Sequence, residues 1–257
     1  MTGTPFTGAR LKIERAYRHI AEIERIVDSF LRSDTNKIVV NHDPIANITE
    51  VVGQSRELLP REVSLAFGDA VHNVRTALDH TMGAVIRVLA PGSNADHIYF
   101  PIHAELHNVV DALTNAKEGS PVAVAMATER GKLVAKAIID KIQPTKAGNG
   151  KLIWAVNRLD NIDKHRLLLT VTSLLGVRFS GTIGRNRLTD ATMLSYASHN
   201  SKIIIAQGMP VEGNFQPIFQ VLIDETEAAK GEPLVPTLKN MAKVCIQAIE
   251  TVEANFA

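Results

Sequence analysis

The sequence predicts an α+β fold: a helical block with N- and C-terminal packing helices and an antiparallel β-meander late in the chain. Three observations carry this. Apolar residues recur at three-to-four spacing near both ends, β-branched runs broken by turn residues occupy two other stretches, and helical periodicity fills about 60–164. Helices and strands are segregated along the chain rather than alternating, which separates α+β from α/β.

The first helix spans about Ala9 to Leu31, on Ile13, Ala16, Ile20, Ile23, Val27 and Phe30. The last repeats the pattern with Leu234, Leu238, Met241, Cys245, Ala248 and Val252. Both are narrow seams suited to helix–helix packing. Between Lys37 and Gly53, two β-branched runs flank Asp43-Pro44, which is turn chemistry, so two short strands are expected. A long helix runs from Arg61 to Leu89 and stops at Pro91-Gly92. Further helices are expected near Ala104–Lys117, over Pro121–Ile142, and after Gly148-Asn149-Gly150 on Leu152, Ile153, Val156, Leu159 and Ile162. Strands follow at Leu168–Thr172, Val177–Ile183, Met193–Ala197, Lys202–Ala206 and Gln216–Ile223, and the 37–53 pair is expected to extend their sheet. Residues 1–165 thus form a mainly helical region and 166–257 a meander plus helix, a division equally compatible with one integrated domain.

The 257 residues carry 28 basic and 27 acidic side chains and are 45% hydrophobic, which excludes disorder for the bulk of the chain. A net charge of +1 excludes a broad nucleic-acid-coating surface but leaves room for a local basic site. The single Cys245 excludes an internal disulfide and any Cys-based zinc site, and is read as a small buried hydrophobe. No apolar stretch approaches the ~20 residues that span a bilayer, so a cytoplasmic protein with no membrane partner is expected.

The long helix holds the most informative segment. At 100° per residue, Phe67, Val71, Val74, Leu78, Val85 and Leu89 form a core stripe. The opposite face carries Asp69, His72, Asn73, Thr76, Asp79 and His80, continued by Gly83 and Arg87, with Arg75 on its shoulder. Solvated helix faces favour Lys, Glu and Gln; short hydrogen-bonding groups of poor helix propensity point instead to contact with protein or ligand. Two readings follow. The stripe is either a buried network fixing a helix or subunit contact, or an active site where imidazoles, carboxylates and a guanidinium converge.

The residues His72-Asn73-Val74-Arg75-Thr76-Ala77-Leu78-Asp79-His80 resemble the HN-x-R-x-A-L-D-H signature of a group of bacterial proteins without an assigned activity. That group's F-P-I, Q-P and D-K-H-R elements are matched by Phe100-Pro101-Ile102, Gln143-Pro144 and Asp163-Lys164-His165-Arg166, so the resemblance covers about 58–172. More broadly, Arg75-x4-His80 is similar to the R-x(4–6)-H of the HEPN superfamily, helical proteins that include dimeric, metal-independent ribonucleases. The superfamily often places Asn, Asp or His directly after the Arg, where this chain has Thr76. The resemblance implies a dimer acting on RNA without a cofactor, with His80 as proton acceptor, Arg75 as the fixed cation, and Asn73 and Asp79 assisting. Asp69, His72, Asp163, His165 and Arg166 are candidate binding residues, brought to the same centre if the two helices are neighbours.

Other signals are set aside. Asp69, His72, Asp79 and His80 lack a diagnostic metal-ligand spacing, and Arg75 among them opposes a cation. His103-Ala-Glu105-Leu-His107 places its carboxylate wrongly for a zinc protease motif. Thr145 and Leu152 break the P-loop pattern around Gly150-Lys151. Arg185 and Arg187 mark a basic strand-connecting turn able to touch a polyanion.

Overall fold

A long Ala-rich helix organises the protein, and its sequence explains why other helices approach it so closely. The computed structural model describes residues 4–32, 36–46, 48–55, 59–165, 171–196, 202–207, 211–225 and 229–256. Helix α1 spans Thr7–Leu31, strands β1 and β2 span Asn36–Asp43 and Ile48–Ser55, and helix α2 spans Arg61–Leu89. Ala66, Ala70, Ala77 and Ala84 of α2 are all buried, so small side chains line its packed surface. The helix begins at Pro60, whose extended backbone precedes the first turn, and ends before Pro91-Gly92, where Gly92 takes φ +84°.

Helix α3 covers Leu106–Thr114. The single helix expected over 121–142 is divided into α4, Pro121–Ala127, and α5, Glu129–Lys136, with α5 continuing as a π-helix through Ile142. Thr128 causes the break: its extended backbone stops α4, and its hydroxyl accepts the Gly131 N–H at 3.0 Å to cap α5. Ser120 caps α4 in the same way through the Ala123 N–H. Gln143, left-handed at φ 48°, ends the π-helix, and α6 follows at Lys151–His165. The last helix, α7, is Leu234–Glu253.

The expected seams of α1 and α7 are both buried. They pack on α2 and on each other; Phe6 edge-on to Phe256 at 5.4 Å and an Arg10–Glu253 ion pair tie one end of the α1–α7 pair, and Lys239–Glu24 at 2.9 Å ties the other. One continuous apolar core runs through α1, α2, α6 and α7 and takes in Val221 and Ile223 from the strand region.

The strands are antiparallel, as expected, but among the described residues they form two three-stranded sheets instead of one meander. Strand β3, Val171–Ile183, is a single long strand where two were expected; it lies between β4, Asn186–Tyr196, and β6, Val211–Ile223. Strand β5, Lys202–Gln207, leaves that sheet and pairs with β2, giving the order β1-β2-β5. The hairpin of residues 37–53 therefore gains a late strand but does not extend the β4-β3-β6 sheet. Gly181 and Gly213 face each other across β3 and β6 so closely that a Cβ on Gly181 would lie 2.1 Å from the Glu212 carbonyl oxygen. In the β1–β2 turn the Asp43 carboxylate accepts the N–H groups of Ile45 and Ala46 at 2.8 and 3.0 Å, which also hold its pKa below the usual carboxylate value.

Parts of the expected strands at 168–170 and at 197, the turn at Gly208, and Arg166 lie outside the described residues.

Candidate functional site

The polar stripe of α2 separates into three environments because successive residues point at different neighbours. Residues 72, 75–76 and 80 are spread along about two turns, so the stripe meets α6 at one end, the α6/α7 side in the middle, and the start of α1 at the other.

In the middle lies Arg75, only 7% exposed. Its Nε donates to Asn157 Oδ1 of α6 at 2.8 Å, and its Nη1 donates to Asp79 Oδ1 one turn along α2. The same Asp79 oxygen accepts the Phe100 backbone N–H at 2.9 Å. Burial raises the Asp79 pKa, and the Arg75 charge and the Phe100 N–H oppose that rise. Asn73, also buried, donates its amide to the Asp69 backbone carbonyl at 2.8 Å. These groups spend their hydrogen bonds on protein.

At the α6 end, His72 Nδ1 lies 2.9 Å from Asp160 Oδ1, and its Nε2 lies 3.4 Å from Thr76 Oγ1. The Asp160 side chain is 1% exposed while that of His72 is 50% exposed, so a buried carboxylate orients an accessible imidazole. Lys164 binds the other Asp160 oxygen. Asp163 sits against Gly68, where a Cβ would come within 2.5 Å of its Oδ1. Its pKa is raised by burial and by Asp160 and Asp69, and lowered by His72 and Lys164. The α2 stripe and the Asp163 cluster therefore meet in space. His165 is the last residue of α6; its side chain, like Arg166, is outside the described residues. Asp69 also faces the buried His19 of α1, at 4.0 Å.

At the far end His80 is exposed and lies beside Gly8, where a Cβ would approach its Nδ1 to 2.8 Å. Its pKa is lowered by burial and by the charges of Lys12 and Arg87, against a raising contribution from Asp79. Arg87 folds back over Gly83, whose missing side chain leaves room for the guanidinium. Arg75 and His80 thus face different neighbours, as a separation of five helical residues dictates.

The segments that carry the family resemblance are joined. Asp79 holds the backbone of Phe100, the His103 N–H donates to the Pro144 carbonyl at 3.3 Å, and His72 holds Asp160. Sequence reasoning passed over Asn157, His19 and Lys12 and gave Asp160 no role. Asp160 had a signal: it is a carboxylate continuing the Ile153/Val156 packed face of α6. Lys12 had none, since in sequence it is an ordinary helix cation on α1, half-buried in the fold.

Among the described residues, no group of three or more His, Cys, Asp or Glu side chains is arranged to hold a metal ion, and no helix is long and apolar enough to cross a membrane. Compared with protein-family models, with curated proteins and with solved structures, the chain matches none.

Proposed function

We propose that the chain is a metal-independent endoribonuclease of HEPN-like type acting as a homodimer, with His80 as the proton acceptor. The observation that carries this is an accessible imidazole beside Gly8 whose pKa is lowered by burial and then by the charges of Lys12 and Arg87. RNA cleavage through the 2′-hydroxyl needs such a base, and the phosphorane oxygens need cations nearby. His80 takes the 2′-hydroxyl proton, the 2′-oxygen attacks phosphorus, the bond to the 5′-oxygen breaks and that oxygen takes a proton from water. Lys12 and Arg87 hold the phosphate in this scheme, because the Arg75 guanidinium is committed to Asp79 and Asn157. Asp79 and Asn73 then position backbone and helix, not substrate.

A second reading is a binding or assembly module whose stripe is structural, favoured by the engagement of Arg75, Asp79, Asn157 and Phe100 with one another. Incubation of purified protein with a mixed-sequence single-stranded RNA separates the two. On the ribonuclease reading, wild type yields 2′,3′-cyclic phosphate ends, and His80→Ala or a Lys12→Gln/Arg87→Gln double variant loses cleavage by ~100-fold or more while remaining folded. Intact RNA with wild type, together with loss of self-association in Arg75→Ala by light scattering, selects the module.

A further inference from the structure

The two ends of the α2 stripe carry opposite charge. Near His80 the neighbours are Lys12 and Arg87; near His72 they are Asp69, Asp160 and Asp163, with Lys164 the one described cation that the geometry places there. The His72 end is therefore unsuited to a polyanion and calls for a different chemistry.

Its three central groups stand in a linear relay. The Asp160 carboxylate accepts from His72 Nδ1 at 2.9 Å, which fixes the tautomer that leaves Nε2 as an acceptor. The Thr76 hydroxyl, one helical turn on, lies 3.4 Å from that Nε2. A hydroxyl within reach of a base, itself oriented by a third group, is the arrangement of an activated nucleophile, with the first contact often loose before substrate binds. The far member is buried and the near members reach solvent, so the relay runs from the interior to the surface. Lys164, bonded to the second Asp160 oxygen, places a positive charge beside the dyad.

We propose that Thr76, His72 and Asp160 form a second reaction centre in which Thr76 is transiently acylated by small uncharged or cation-bearing carboxylic esters. Thr76 Oγ1 attacks the carbonyl carbon as its proton passes to His72 Nε2. The tetrahedral adduct expels the alcohol, which takes that proton. Water then attacks the acyl-threonine, again giving its proton to Nε2, and Thr76 Oγ1 leaves with it; the sum is ester plus water to acid plus alcohol. Asp69 and Asp163 set the substrate class, because they repel a carboxylate-bearing ester and tolerate a cationic one.

The test is single-turnover acetylation of the full chain by p-nitrophenyl acetate, read as intact mass and by peptide mapping, independently of whether His80 cleaves RNA. The expected result is one acetyl group at position 76 in wild type and in Thr76→Ser, and none at this site in Thr76→Val or His72→Gln. Asp160→Asn should acetylate at least ~100-fold more slowly, since the amide favours the wrong imidazole tautomer. An ester carrying a trimethylammonium group should react faster than its carboxylate counterpart. Absence of acetylation in wild type, adducts confined to Lys164 or another lysine, or an unchanged rate in folded His72→Gln overturns the proposal.

Discussion

Arg75 and Asp79 are an ion pair one helical turn apart, and the pair is the junction between α2, α6 and the Phe100 segment. The pairing is held inside the protein, where each charge depends on the other. Arg75→Ala leaves the Asp79 carboxylate without its cation and Asn157 without its donor, so a loss of about 3–5 kcal/mol is expected in urea unfolding. The loss should depend on pH. Asp79 is already raised above its ordinary value by burial, and without Arg75 it rises further. A raised carboxyl gives stability that is full below the unfolded value of 3.8 and lost as pH rises through the folded value, so the variant's deficit should be larger at pH 7 than in mild acid.

His80 titrates in the opposite sense. Its pKa lies below the ordinary 6.5, so the unfolded chain binds the proton first and stability falls as pH drops from 6.5 toward the folded value. NMR titration of the imidazole should place the midpoint below 6.5. Lys12→Gln and Arg87→Gln should each move it upward, and an unchanged midpoint in both would remove the electrostatic basis of the ribonuclease reading.

Gly131 tests the break between α4 and α5. A Cβ there would lie 2.0 Å from the Ala125 carbonyl oxygen, a backbone atom that has no rotamer to yield. Gly131→Ala is expected to cost roughly 1–3 kcal/mol by urea unfolding. A neutral result would mean that the turn at Thr128 relaxes freely.

Cys245 lies on the α7 seam with 0% exposure, and burial pushes its thiol up to about 12. The thiolate is the reactive form. Native protein at pH 8 should therefore leave Ellman's reagent unreduced, and one equivalent should react on denaturation. Rapid reaction of the folded chain would show that α7 detaches.

Much of the helical framework is legible in the sequence because its cues are local. The limits of α2 follow from Pro60 and Pro91-Gly92, and the seams of α1 and α7 follow from spacing alone. The split at Thr128 is local too, but its threonine cap sits inside a run that reads as continuous helix. Strand partners are another matter: β-branched runs mark β5 and β2 as strands, and nothing within either segment names the other. The candidate site shows the same division. Periodicity places Asp69, His72, Asn73, Arg75, Asp79 and His80 on one helix, whereas their partners Asp160, Asn157 and Lys12 come from helices whose approach is a tertiary fact.

The pairing of β5 with β2 has a consequence for synthesis. Ile48 is matched with Gln207, so the hairpin of β1 and β2 acquires its third strand only after some 150 further residues have been made. A two-stranded hairpin is marginal in water. During translation its outer edge stays open while α2 and α6 are already able to pack, and the nascent chain carries an unprotected strand through most of its time on the ribosome. Chaperone dependence should therefore map to residues 36–55, and truncation before residue 202 should yield a product that self-associates through that edge.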